Sequence, residues 1–137
     1  VLEWAHDPKD IIAHLLRQLK PDGILSVTFY NLNGMIYKNL LRTNYKKILN
    51  KEYSGWAGSL TPTYPRLPSD VKNLLTAQGL EILCHSGMRV FHDYILNPEL
   101  SERDPETVVK IELMLSRKMP YRDLGRYQHI MGRKKII

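Results

Sequence analysis

DPKDIIAHLLRQLKPDGILSVTFYN, residues 7–31, decides the fold. Asp7 and Pro8 mark a helix start: Asp caps free amides, proline suits the first helical position, and Asp10 adds negative charge to the first turn. Ile12, Leu15, Leu16 and Leu19 recur at helical spacing and give one apolar face. Lys20-Pro21-Asp22-Gly23 stops the helix and turns the chain. Ile24 to Tyr30 is a short apolar, β-rich run closing at Asn31, and it reads as a buried strand. A helix, a tight turn and a buried strand make half of an α/β crossover unit.

The rest of the chain extends this pattern. Met35 to Glu52 reads as helical in part and carries Lys38, Arg42, Lys46, Lys47 and Lys51 against a single acid, Glu52. Tyr37, Tyr45, Tyr53 and Trp56 are interleaved, so residues 35–58 form a basic excursion. Cations there can neutralise phosphates while aromatics stack exposed bases, which makes Lys38, Arg42, Lys46, Lys47 and Lys51 the RNA-binding candidates. Residues 59–68 hold three prolines and form no regular element. Ser69 reads as the cap of a helix with Val71, Leu74 and Leu75 inward and Gly79 at its end. Leu80 to His85 reads as a strand, continuing extended towards Phe91. Asp104 and Pro105 start a further helix with Val108, Ile111 and Leu115 on its buried face and charge on the other. Arg126 to Gly132 is the last strand, and Arg133, Lys134 and Lys135 form a basic end.

Composition narrows the class. The chain has 137 residues, 43% hydrophobic and 25% charged, the profile of one soluble globular domain. No apolar run approaches the ~20 residues of a membrane span, and the first residues lack the features of a signal peptide. Cys84 is the only cysteine, so no intramolecular disulfide can form, and a reducing cytoplasm is expected. Lys plus Arg number 20 and Asp plus Glu 14, a net charge of +6 that favours a polyanionic partner such as RNA. His6, His14, His85, His92 and His129 show no ligand spacing, so no metal is expected.

Four tracts carry more. In chain order they are PDGILSVTFYN (21–31), TPTYPRLP (61–68), GMRVFHDY (87–94) and LGRYQH (124–129). Together they resemble the C-terminal half of the bacterial tRNA 5-carboxymethoxyuridine methyltransferases, which use S-adenosylmethionine (SAM) to methylate the acidic side arm of a modified wobble uridine. The resemblance runs from Val1 to about Lys135. It implies the second half of a Rossmann-like α/β methyltransferase fold whose final strand inserts antiparallel. It also implies that residues 1–137 are one partial domain, with the glycine-rich cofactor motif in an upstream half of the same protein, before Val1. One departure is mild: Asp22 stands where glycine is more usual, and a turn accepts Asp.

The site residues follow from these tracts. In a Rossmann-like sheet ligands sit at the carboxyl ends of strands, which points to Tyr30 and Asn31. The proline-stiffened loop presents Tyr64 and Arg66. The substrate implied by the resemblance carries a carboxylate, which calls for a cation, best a bidentate arginine; Arg66, Arg89 and Arg126 are the candidates. His92 is a candidate hydrogen-bonding group, and in an extended strand it would point away from Asp93. Glu3 and Trp4 are the residues implied to approach SAM, and the tRNA anticodon arm is the implied partner. No general base is needed, because a carboxylate is already ionised at neutral pH and is itself the nucleophile. Two other readings fit the same residues: a non-catalytic basic RNA-binding fragment, and a methyltransferase for a small carboxylic acid.

Overall fold

The computed structural model describes residues Val1–Ile136. Helix α1 spans Pro8–Gln18, and the Asp7 carboxylate accepts from the Lys9 amide as its cap. The turn after it places Asp22 at φ 63°, which explains why glycine or Asp belongs there. Strand β1 is Ile24–Tyr30. The basic excursion then opens with α2, Leu32–Leu41, and the short α3, Tyr45–Leu49. After the proline-rich loop come α4, Pro68–Ala77, and β2, Leu80–Met88. Two further helices follow, α5 at Pro98–Glu102 and α6 at Pro105–Leu115, and the chain closes with β3, Tyr127–Lys134.

The sheet has the order β1-β3-β2, and β3 runs antiparallel to both neighbours. The last strand therefore lies in the middle, reversed, as the resemblance implies. One face of the sheet is covered by α1 and α4. Ile12 and Leu16 of α1, Val71 and Leu75 of α4, Val27 and Phe29 of β1, Leu80 of β2 and Ile130 of β3 form one buried cluster. Burying such side chains stabilises the fold by roughly 1.5–3 kcal/mol each. Gly132 on β3 lies tight against β2: a Cβ there would meet the Leu80 side chain at 2.8 Å and displace it.

Several expectations need correction. The β1 strand alternates between covered and open residues rather than being buried on both faces, because helices cover only one side of the sheet. Leu15 sits on the exposed flank of α1. Ser69 does not cap α4: the helix begins one residue earlier, at Pro68, whose fixed φ starts it with Leu67 as the preceding residue. The extended stretch does not reach Phe91. It ends at Met88, where Arg89 takes φ 56° and turns the chain into a 3₁₀ helix at His92–Tyr94. His92 and Asp93 consequently lie on a tight turn, not on opposite faces of a strand. Helix α6 is capped by Asp104 as expected, but none of its residues is fully buried, and Val109, Leu113 and Met114 face outward.

Beneath the sheet surface, His85 Nε2 and Gln128 Oε1 are 2.7 Å apart, and Gln128 Nε2 donates to the Arg122 carbonyl at 2.7 Å. Gln128 thus accepts from the imidazole, which places the proton on Nε2 and leaves buried Nδ1 without a partner. Burial lowers the His85 pKa against the opposing effect of the Gln128 bond. A histidine kept neutral in the fold contributes stability that is complete above the ordinary histidine value and lost as pH falls. The urea midpoint should therefore drop between about pH 7 and about pH 5. In a His85→Gln variant, which keeps a donor to Gln128, that drop should be shallower; equal slopes would contradict the assignment.

Candidate functional site

The carboxyl end of β1 is built around Asn31. Its side chain is fully buried, at 0% exposure. Asn31 Nδ2 donates to the carbonyls of Asp123 and Gly125, at 2.8 and 2.7 Å, and Oδ1 accepts from the Asn33 amide at 3.0 Å, capping α2. The backbone is tied as well: the Asn31 amide donates to Arg126 O, and Arg66 and Asn31 form a parallel bridge. These bonds fix the loop before β3 against the start of α2. The fit is close enough to need glycine twice. A Cβ on Gly34 would lie 2.9 Å from the Gly125 carbonyl, and one on Gly125 would lie 2.9 Å from Met88 backbone atoms. The Asn31 side chain is thus committed to backbone partners and turned away from solvent.

Arg126 emerges beside this clamp. Its guanidinium centre lies 5.8 Å from the Tyr30 ring and 5.5 Å from the Tyr127 ring, and these two rings meet edge-on at 5.5 Å. The side chain is 34% exposed. Its Nε is buried without a hydrogen-bond partner among the described residues, and Nη1 makes a long ion pair with Asp93 Oδ2 at 3.7 Å, beyond hydrogen-bond reach. Burial opposes the Arg126 charge, but Tyr127, Tyr30 and Asp93 together raise its pKa. The Tyr30 phenol is raised by burial, with Arg126 opposing. Arg126 is thus a fixed cation between two tyrosines with donors to spare.

The other two arginines are committed. Arg66 donates to the carbonyls of Leu2, Ala5 and His6 and lies 5.5 Å from the Tyr64 ring. It staples the proline-rich loop to the start of the chain, and the Tyr64 amide adds a bond to Glu3 O at 2.8 Å. This arrangement commits Arg66 Nε and Nη2 to the fold, and the three prolines suit it: a stiff loop holds the staple at little entropic cost. Arg89 gives both Nε and Nη2 to Asp93 Oδ1. Asp93 itself is only 5% exposed. Its turn is held by Glu112 of α6, whose carboxylate accepts from the amides of Val90, Phe91 and His92 at 2.8–3.1 Å.

His92 is exposed and lines, with Arg89, Met88, Val108 and Leu113, a groove of 750 Å³ between the end of β2 and α6. It does not approach Arg126 through any hydrogen bond. Tyr64 packs edge-on to His6 at 5.6 Å. Of the basic excursion, Arg42, Lys46 and Lys51 are exposed, and Lys46 and Lys47 line an 860 Å³ depression with Tyr45 and Asn44. Lys38 differs from them: it is half-buried and feels the charges of Asp93, Arg126 and Arg89. Trp4 is 52% exposed, next to half-buried Glu3. An open indole beside a carboxylate suits one flank of an adenosine site, stacking and ribose hydroxyl bonding respectively. Among the described residues no group of histidines, cysteines and carboxylates could hold a metal, and no helix is long and apolar enough to cross a membrane.

Three contributors escaped the sequence. Tyr94 packs edge-on against Tyr37 at 5.1 Å, and its hydroxyl donates to Leu124 O at 2.5 Å with Gly34 O at 3.2 Å. Tyr94 and Tyr127 both lie within the informative tracts, 87–94 and 124–129, so those tracts did carry the signal. Glu112 carried none, because it sits on the face of α6 that reads as solvated.

The chain is 35% identical, over 134 residues, to the tRNA 5-carboxymethoxyuridine methyltransferase of Escherichia coli strain K12, and equally to that of Escherichia coli O157:H7. The matched region is 98% of this chain and 51% of each relative, so the chain spans about half the length of the curated relatives it matches. The resemblance read from the sequence is thereby borne out over nearly the whole chain. No protein-family model matches.

Replacing Asn31 by Asp keeps its shape and its acceptor but sets a carboxylate against two carbonyls and forfeits both donors. Leaving buried groups unsatisfied costs roughly 1–3 kcal/mol each, so Asn31→Asp should lower unfolding stability by about 2 kcal/mol or more in urea titration. A neutral result would mean that the clamp does not fix the loop.

Proposed function

We propose that this chain forms the substrate-holding side of an enzyme that methylates the carboxylate of 5-carboxymethoxyuridine at the wobble position of tRNA, giving the methyl ester. The observation that carries the reading is Arg126, a part-buried cation with unused donors, flanked by two tyrosines at the carboxyl end of β1. The names of the relatives support it, since those proteins are tRNA 5-carboxymethoxyuridine methyltransferases. SAM is the proposed methyl donor, flanked by Trp4 and Glu3. When bound, it supplies a methyl group on a sulfonium, which an ionised carboxylate takes up as its methyl ester, leaving the neutral thioether.

This chain's residues then divide the work. Arg126 receives the carboxylate and fixes its direction, and the edges and faces of Tyr30 and Tyr127 exclude water around it. Asn31, Gly34, Gly125 and Tyr94 hold Arg126 in place. Arg89 neutralises Asp93, so that this buried carboxylate does not repel the incoming one. The exposed Arg42, Lys46 and Lys51, with Lys47 beside them, are proposed to meet anticodon-arm phosphates, and such binding weakens steeply with salt. A small free acid would not share that salt dependence. An enzyme handling tRNA in this way is proposed to work in the cytoplasm.

The full-length protein, incubated with methyl-labelled SAM and bulk bacterial tRNA, should label the RNA. Mild alkali should then release the label as methanol; label that survives alkali would mean methylation of a base or ribose and would overturn the reading. Arg126→Ala should raise KM for tRNA substrate by about tenfold to a hundredfold, the value of one charge-assisted bond. Arg66→Ala should act through stability and leave KM of the folded enzyme close to wild type.

A further inference from the structure

The groove between the end of β2 and α6 has no part in the proposed function, yet the sheet register sets it against the Arg126 site. Tyr127 of β3 is opposed by Tyr30 of β1 on one side and by Met88 of β2 on the other. Residues paired across antiparallel strands share a face, with Cβ atoms roughly 5 Å apart. Phe29 and Ile130 point into the core under α1 and α4, so the alternate residues Tyr30, Tyr127 and His129 lie on the opposite face of the sheet. Met88 joins them through its pairing with Tyr127, and Ser86 through its pairing with His129. Both Met88 and Ser86 line the groove. The groove therefore begins one strand away from Tyr127, on the same face of the sheet.

Its floor is apolar and open: Met88 from β2, with Val108, Val109 and Leu113 from α6, of which Val109 and Leu113 are exposed. Its rim is polar. Arg89 and His92 stand on the turn whose amides Glu112 holds, so both are fixed relative to α6. The Arg89 guanidinium is further set by its two bonds to Asp93 Oδ1. Arg117 completes the rim: its Nε donates to Ser86 Oγ at 3.1 Å, and it forms no ion pair among the described residues. A volume of 750 Å³ is that of a small-molecule site. An apolar floor edged by a guanidinium and an imidazole suits a flat ring with polar edges. Unpaired RNA bases stack on the planes of arginine and histidine, and a methionine sulfur makes favourable contacts with aromatic rings.

We propose that this groove is a nucleobase subsite, which takes the base of a nucleotide adjoining the wobble uridine in the anticodon loop. The inference rests on the function proposed above and extends it to a second part of the same RNA. A side arm held at Arg126 sets its uridine beside Tyr127, and the next base of an unstacked strand then meets Met88. Asp93 joins the two places: Oδ1 accepts from Arg89 on the groove rim, and Oδ2 pairs with Arg126 at 3.7 Å. Stacking tolerates any base, so the subsite anchors the loop and sets the wobble nucleotide in register without reading sequence. A second copy of this chain could also cover the apolar face of α6, but continuity with the Tyr30, Tyr127 and Met88 row favours the RNA.

The test uses RNA stem-loops bearing the wobble acid, either intact or lacking the base at one of the two adjoining positions. Their affinities for the full-length protein are measured at fixed salt by fluorescence anisotropy. Removing the base at one adjoining position should weaken binding about tenfold, the value of a stacked base. Val109→Trp fills the groove from an exposed position and adds no charge. It should bring the intact stem-loop down to the affinity of that abasic one and leave the abasic affinity unchanged. Leu113→Gln, also at an exposed position, should act in the same direction by a smaller factor. Equal wild-type affinities for the intact and both abasic RNAs would overturn the proposal, as would weakening of intact and abasic RNAs by equal factors in Val109→Trp. Loss of wild-type self-association in Val109→Trp, seen by sedimentation with RNA affinities unchanged, would make the groove a contact between copies and overturn it too. Methyl transfer by wild type to the intact stem-loop is assayed alongside. Transfer without the abasic effect sinks this inference alone, whereas absent transfer sinks the functional reading, and the affinity ratio still decides whether the groove holds a base.

Discussion

One buried amide holds the working end of this molecule together. The Asn31 side chain donates to Asp123 O and Gly125 O and accepts from the Asn33 amide. Through these bonds the end of β1, the start of α2 and the loop leading into β3 become one unit. Nothing softer would serve, because the loop approaches so closely that Gly34 and Gly125 leave no room for a Cβ. Buried polar groups that are fully satisfied rigidify their surroundings, and a half-satisfied version would be worse than none. Gln128 repeats the device one layer away, donating to Arg122 O while accepting from His85.

That rigidity decides which charged groups are free. Arg126 begins directly after the clamped turn, so its side chain is aimed between Tyr30 and Tyr127 rather than searching solvent. Arg89 follows a backbone kink at φ 56° that brings it onto Asp93. Strained φ values persist where surrounding structure over-determines them, and here the Glu112 carboxylate secures the next three amides. Arg66 is spent on three backbone carbonyls. Of three arginines equivalent in sequence, Arg66 and Arg89 each commit Nε and Nη2 to the fold, while Arg126 makes only a 3.7 Å ion pair with Asp93 between its two tyrosines.

Much of the fold was legible because local signals agreed with the global pattern. Asp7-Pro8 and Asp104-Pro105 each start a helix with the Asp side chain capping it, and Ile24 to Tyr30 is the first strand to the residue. The reversed central β3 was legible only through resemblance, since side-chain period is the same in either direction. Two of the misreadings share one cause. Whether GMRVFHDY stays extended, or α6 buries a face, depends on partners distant in sequence, and Glu112 meeting the 90–92 amides is a contact that no local pattern encodes. That Asn31 turns its side chain onto backbone partners was not legible, because an Asn closing a strand looks the same whether it faces a ligand or a carbonyl.

The most direct test of the account is a crystal structure of the full-length protein with a stem-loop bearing the wobble carboxylate. The account predicts that carboxylate within hydrogen-bond distance of Arg126 Nη atoms, between Tyr30 and Tyr127. A carboxylate seated instead at Arg66, on the depression lined by Lys46 and Lys47, or free in solvent would contradict it.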